Sequence, residues 1–245
     1  MSEIIKTKAI VLRKINFGDT SKIATFYTED FGRISGIVKG ARSPKSRTGM
    51  LIDSMNLVEV VFYKKENRDV QLISQVDLIS HFPRLKEDLD KTKYATAVLE
   101  LIINIMMENE SHPLLFKGTV RFFELLNNNG IDPKWYFLKY YLFFLREIGY
   151  GIQFDECSIC GKPFSRNQHI FFNYEKGMFC SDCSHERITT FEFQPELFNL
   201  LLCLNSKNND IAYEQKNLDK IIYFLERYLS YHVPEFKGIK SFHLF

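Results

Sequence analysis

The sequence predicts an α+β chain: a small antiparallel barrel of five short strands, then an all-α region with a four-cysteine ribbon inserted in it. Three observations carry that expectation. β-like apolar runs separated by turn residues fill residues 3–81, and the apolar period lengthens to that of a helix from Pro83 onward. Two Cys-x-x-Cys pairs, Cys157/Cys160 and Cys180/Cys183, then interrupt the helical part.

Size and composition set the bounds. A chain of 245 residues that is 45% hydrophobic can bury one large core or two small ones, which excludes a disordered tail protein. The formal charge is only +2, from 32 Lys and Arg against 30 Asp and Glu, so any affinity for nucleic acid must come from a local concentration of charge. No apolar run approaches the roughly 20 residues that span a bilayer, and Met1-Ser2-Glu3 opens without an apolar leader. The expectation is a cytoplasmic chain with no membrane partner.

The five strands are read from Ala9-Ile-Val-Leu12, Lys22 to Tyr27, Arg33 to Val38, Leu57 to Tyr63 and Val70 to Val76. Turn residues separate them at Gly18-Asp19, Asp30-Phe-Gly32, Ser43-Pro44 and Glu66-Asn67-Arg68. Five strands in so short a stretch suit a closed barrel of the oligonucleotide-binding (OB) type, placed at residues 1–81, although an SH3-like barrel has nearly the same pattern. Residues 82–245 then form the helical domain. Leu85, Leu89, Ala95, Val98, Leu101, Ile102, Ile105 and Met106 recur at helical spacing, and a run from Leu114 stops at Asn128-Asn129-Gly130. Asp132-Pro133 opens an aromatic helix, Trp135 to Glu147, closed by Gly149. Two more helices are expected near residues 194–204 and 215–232.

The cysteine pairs, at about residues 154–187, are separated by 19 residues and fit one tetrahedral thiolate cage, with Gly161 and Gly177 supplying the tight turns. One structural Zn2+ bound by Cys157, Cys160, Cys180 and Cys183 is the expected cofactor. The alternative is free thiols or a disulfide. Between the pairs, His169 to Tyr174 and Met178-Phe179 read as a small hairpin with little core of its own. His169 and His185 are possible substitute ligands, but surface histidines are the commoner case. Cys203, inside Leu200-Leu-Leu-Cys-Leu204, reads as core.

Basic charge is concentrated after the third strand. From Phe31 to Ile52 the chain holds Arg33, Lys39, Arg42, Lys45 and Arg47 and no acidic residue. With Arg13 these are the candidate DNA-binding residues, and Lys14, Lys22, Lys64, Lys65 and Arg68 extend the patch. Gly40, Ser43, Ser46, Thr48 and Gly49 are expected to keep the loop open to phosphates. Phe17, Tyr27 and Tyr63 are candidates to stack on bases, against the commoner role of strand aromatics as core. A solvated loop is the bland alternative. No phosphate loop, nucleophile elbow, His-Glu-x-x-His or clustered carboxylate pattern is present, so no catalytic residue is assigned. A transcription-type zinc-ribbon adaptor and a metal-dependent nuclease are the alternatives to a non-enzymatic DNA binder.

Several stretches resemble one family. Ala9-Ile-Val-Leu-Arg13, Gly18-Asp-Thr20, Thr28-Glu-Asp-Phe-Gly32 and Val38 to Ser46 are similar to the opening of the RecO family of bacterial recombination mediators. Leu57-Val-Glu-Val, Gln71-Leu-Ile-Ser, the two cysteine pairs and Gly238-Ile-Lys-Ser241 follow in that family's order. The resemblance implies a non-enzymatic protein of DNA repair and recombination in the RecF pathway, nucleoid-associated during repair. It implies binding of single- and double-stranded DNA, annealing of complementary strands, and loading of RecA with RecR onto DNA coated by single-strand-binding protein (SSB). It also implies a helical-domain site for the acidic, apolar C-terminal tail of SSB. Lys117, Arg121, Lys139 and Arg146, on helices rich in Phe and Leu, are the candidates to line that site, and solvated helix faces are their bland reading.

Overall fold

A computed structural model describes residues 3–185, 187–206 and 211–243. The chain forms two compact units, Met1–Pro133 with Ile239–Phe245, and Lys134–Gly238.

The first unit is built on β1 (Glu3–Phe17), β2 (Ser21–Thr28), β3 (Gly32–Val38), β4 (Leu57–Lys64) and β5 (Val70–Ser80), closed in the order β1-β2-β3-β5-β4. β3 and β5 pair in parallel, Ser35 opposite Val70 and Ile37 opposite Leu72, and β1 closes the barrel against β4. That Greek-key closure is the OB type. A period of two puts Ala9, Val11, Ala24, Phe26, Ile34, Val58, Val60 and Phe62 inside. An irregularity between Val11 and Arg13 bends β1 so that one strand can serve both neighbours.

The connection from β3 to β4 is more structured than the sequence suggests. It contains α1 (Arg47–Leu51), where the Ser46 hydroxyl accepts a hydrogen bond from the Gly49 amide at 3.1 Å. Gly49 is there for close packing, since a Cβ would sit 2.2 Å from the Ala41 carbonyl oxygen. Of the residues expected to hold this loop open, Ser46 and Gly49 are therefore engaged in folding it. Ile52 and Leu51 turn into the barrel core.

The helices of this unit are α2 (Pro83–Lys86), α3 (Leu89–Ile105) and α4 (Pro113–Leu126). Asp88 caps α3 by accepting from the Lys91 amide at 3.1 Å. The α3–α4 segment packs on part of the outer barrel surface. Tyr27 is completely buried there, its ring centroid 5.9 Å from that of Phe116 and its hydroxyl donating to the His112 carbonyl. A 3-10 turn (Lys240–His243) returns to α3. Its Lys240 and Ser241 amides donate to the Glu100 carboxylate at 2.8 and 2.9 Å, and Phe242 packs on Tyr94.

The second unit contains α5 (Pro133–Glu147), a three-stranded sheet, α6 (Pro195–Asn205) and α7 (Gln215–His232). β6 (Ile170–Asn173) is the centre of the sheet, with β7 (Gly177–Cys180) and β8 (Phe191–Phe193) on either side. β6 and β7 are the expected hairpin; β8 is an additional strand. The ribbon also has more core than expected. Phe224 of α7 is fully buried, with ring centroids of Phe172, Phe191 and Phe193 at 4.9, 5.0 and 4.8 Å. The reason is tertiary: the strands' apolar side chains find their partners on a helix well downstream of Phe193.

Candidate metal centre and nucleic-acid interface

Two knuckles bring the cysteines together. In the first, the Gly161 amide donates to the Cys157 carbonyl at 2.9 Å, and Gly161 holds a positive φ of 71°. In the second, Cys180 ends β7 and Cys183 lies in the 3-10 turn Ser181–Cys183. All four Sγ atoms lie within 4.8 Å of one another, and those of Cys160 and Cys180 are 3.9 Å apart. A tetrahedral thiolate site with metal–sulfur bonds of about 2.3 Å spaces its sulfurs at about 3.8 Å, so the four residues fit one ion. None of the four is in a disulfide.

The electrostatics of the cluster point the same way. Burial pushes the Cys157 thiol up, but the amides of Cys160, Cys180 and Ile159 outweigh it and hold the group down at about 6. Burial and the neighbouring sulfurs push Cys183 up to about 12. One thiolate thus opposes ionisation of the next until a cation joins them. Lys162 and Asp182, each two residues after a cysteine, form a 3.0 Å ion pair across the knuckles. Among the described residues this is the one His, Cys, Asp and Glu cluster able to hold a metal. His169 instead stacks on Phe171 at 4.5 Å, and His185 is exposed. Cys203, expected in the core, is only half-buried and lines a cavity of about 480 Å³ with Leu202 and Ile211.

The basic residues divide. Lys39, Arg42, Lys45 and Arg47 are exposed on the β3–β4 connection, and Arg13 is exposed on β1, its Nε 3.4 Å from the Thr25 hydroxyl. Arg42 binds this connection to the β1–β2 turn. Its amide donates to the Thr20 carbonyl at 3.0 Å and its guanidinium to the Gly18 carbonyl. Arg33 does not join them. On β3 its side chain follows the opposite face from the core and meets the end of α3, where it donates to the Ile103 carbonyl at 2.7 Å and lies 3.7 Å from Glu108. Tyr27, a stacking candidate from sequence, is sealed beneath Phe116, whereas Phe17 and Tyr63 are exposed. Lys14 is paired with Asp53.

The four cations proposed for a peptide tail lie on two helices. On α4, Lys117 is 3.6 Å from Glu29 and Arg121 is 3.4 Å from Glu124. On α5, Lys139 donates to the Ser206 carbonyl at 2.8 Å and lies over Trp135, while Arg146 lies over Phe143. No helix among the described residues is long and apolar enough to cross a membrane.

These features define an OB-barrel protein with a basic loop, a helical region and a cluster of four cysteines placed to hold a metal ion. Comparison with known proteins specifies the family. Residues 1–82 match the family model for the recombination protein O N terminal region, and residues 86–241 match that for the recombination protein O C terminal region. The chain is 28% identical over 257 residues to a DNA repair protein RecO of Chloroherpeton thalassium, covering 99% of this chain and 98% of the relative. It is 31% identical over 183 residues to a protein of the same name from Thermoanaerobacter sp., covering 75% of this chain and 72% of the relative. The chain belongs to the RecO family, and its role lies in DNA repair and recombination.

Proposed function

We propose that this chain is a non-enzymatic mediator of the RecF pathway that binds single- and double-stranded DNA, anneals complementary strands and, with RecR, helps load RecA onto SSB-coated DNA. It would work in the cytoplasm, at the nucleoid. The observation that carries the reading is the exposure of Lys39, Arg42, Lys45 and Arg47 on one barrel connection that has no acidic residue from Phe31 to Ile52. Annealing needs no bond chemistry. Cations that neutralise phosphates on two strands reduce their repulsion and let base pairing proceed. Zinc is the proposed occupant of Cys157, Cys160, Cys180 and Cys183, because a closed set of four thiolates suits a structural Zn2+ and leaves no position for water. Lys117, Arg121, Lys139 and Arg146 are proposed as cations for the acidic SSB tail.

The test uses two labelled complementary strands coated with SSB, with and without the protein, and a salt titration of single-strand affinity. Annealing without cleavage supports the mediator; magnesium-dependent cutting redirects the reading to a nuclease. The combined variant Arg42→Glu, Lys45→Glu, Arg47→Glu is expected to bind weakly and to lower the log–log salt slope by about 2, at about 0.7 for each phosphate no longer neutralised. Unchanged affinity across the titration would remove the loop from the site.

A further inference from the structure

The second unit holds a cavity of about 370 Å³ between the ribbon and α7, and none of the four cysteines lines it. Its floor is apolar. Phe172 of β6, Met178 of β7 and Tyr228 of α7 are buried there, and Tyr174 and His232 stand beside them. Phe172 meets Tyr174 at 5.6 Å and 81° and Tyr228 at 5.9 Å and 65°, and Tyr228 meets His232 at 4.5 Å and 64°. Rings set at such angles make a floor and walls instead of a stack. Tyr174 is braced by Tyr231, 4.7 Å away and nearly parallel.

Charge is concentrated at the rim. Glu156 belongs to the first knuckle, where it pairs with Pro163 in an isolated bridge while the Ser158 amide donates to the Met178 carbonyl at 2.9 Å. Glu175 lies on the β6–β7 turn, which the Asn173 side chain holds by accepting from the Glu175 and Lys176 amides at 2.9 and 3.3 Å. Both carboxylates are thus carried on backbone that local hydrogen bonds fix, and neither has an ion-pair partner among the described residues. Lys176 is the one Lys or Arg among the described lining residues, so acid outnumbers base two to one. His232 adds no positive charge at neutral pH, since burial lowers its pKa below the usual 6.5. Such a rim repels a phosphate, whereas a cation finds counter-charges beside ring faces.

The form of the cation follows from the acceptors. They are spread around the cavity: two carboxylates, the Ser158 hydroxyl and the Gln153 side-chain carbonyl. A guanidinium offers a planar fork of N–H donors that reaches several acceptors at once and stacks on aromatic rings, while an ammonium is a compact, strongly hydrated point charge. We propose that this cavity is a docking site for an arginine side chain of a protein partner, the guanidinium lying against Tyr174 and Tyr228 and paired with Glu156 and Glu175. The proposal does not depend on the DNA-binding reading, because the charge of the site is opposite to that of the β3–β4 connection.

The test uses the metal-loaded full chain with isotope-labelled methionine methyls, the Met178 resonance being identified by its loss in Met178→Leu. The probes are N-acetyl-arginine amide, N-acetyl-citrulline amide, which keeps the shape without the charge, and deoxyguanosine monophosphate. The expected result is a saturable shift of the Met178 methyl with the arginine probe and an affinity about tenfold weaker for citrulline. Glu175→Gln should weaken arginine binding about threefold, and Glu156→Gln with Glu175→Gln about tenfold, with metal content and circular dichroism unchanged. Lys176→Met should tighten it about twofold. No saturable shift, equal affinity for citrulline, or full affinity in Glu175→Gln would overturn the proposal. Loss of affinity in Lys176→Met, or preference for the nucleotide, would overturn it in favour of an anion site. Glu175→Gln, on a turn apart from both cysteine knuckles, keeps the test decisive if Glu156→Gln disturbs the metal centre.

Discussion

Gly32 offers the sharpest test of how the barrel meets its helices. Its φ is +63°, and a Cβ there would stand 2.0 Å from the Glu110 carbonyl oxygen, 2.5 Å from its carbon and 2.8 Å from its nitrogen. The obstacle is backbone, which cannot swing aside, and it is held in place by the Asn109 amide donating to the Arg33 carbonyl at 3.1 Å. Two costs follow for Gly32→Ala: about 1 kcal/mol for a left-handed alanine and about 1–3 kcal/mol for overpacking. Gly40 separates them, because its φ is +69° but a Cβ there would meet nothing within 4 Å. Gly40→Ala should therefore cost about 1 kcal/mol and Gly32→Ala about 2–4 kcal/mol. The gain from a stiffer unfolded chain is common to both and cancels in the comparison. Native-state hydrogen exchange in the barrel strands reads the unit that contains both positions. Equal costs would refute the close approach of the β2–β3 turn to Glu110.

Four further outcomes follow from other sites. Phe224→Ala, which removes a fully buried ring from among Phe172, Phe191 and Phe193, should destabilise the second unit by about 3–5 kcal/mol in urea unfolding. Glu100→Ala strips the acceptor from the Lys240 and Ser241 amides and should cost about 1–3 kcal/mol, with faster exchange of those two amides as the specific readout. Chelation, or Cys157→Ser, should release about one metal ion per chain and expose the ribbon to protease while DNA binding by the barrel persists; selective loss of DNA binding in a folded variant would contradict a structural role. Burial against Tyr150, Tyr228 and Tyr231 lowers the pKa of His232 below its usual 6.5, so the unfolded chain takes up a proton first on acidification. Stability from this group is complete above about pH 6.5 and is lost as pH falls toward the depressed value; His232→Phe should flatten that part of the stability–pH curve measured by thermal melts.

How much of the site was legible depended on the range of the interaction. Cys157, Cys160, Cys180 and Cys183 were readable because each knuckle is a local turn, and the spacing of a thiolate pair is set by that turn. Lys162 and Asp182 could have been found by their matching positions after the cysteines, yet only the fold shows that they meet. Arg33 was grouped with Lys39, Arg42, Lys45 and Arg47 because they are neighbours in sequence. The length of β3 separates them in space, and alternation along that strand sends Arg33 to the end of α3. Tyr27 and Tyr63 are both strand aromatics facing away from the core; a helix covers one and leaves the other in solvent.

The sequence by itself determined the succession of the five barrel strands and the five long helices, the turns between those strands and the pairing of cysteines, all consequences of backbone preferences and side-chain periods acting over a few residues; α1 and β8 were not among them. It also located the basic connection after the third strand. Tertiary structure alone decided that β1 closes on β4 and β3 runs beside β5, which separates an OB closure from other small barrels. Long-range packing likewise assembled the ribbon's core on Phe224 and set Arg33 against the end of α3, because those partners lie far apart in sequence and no local property marks them until the chain has folded.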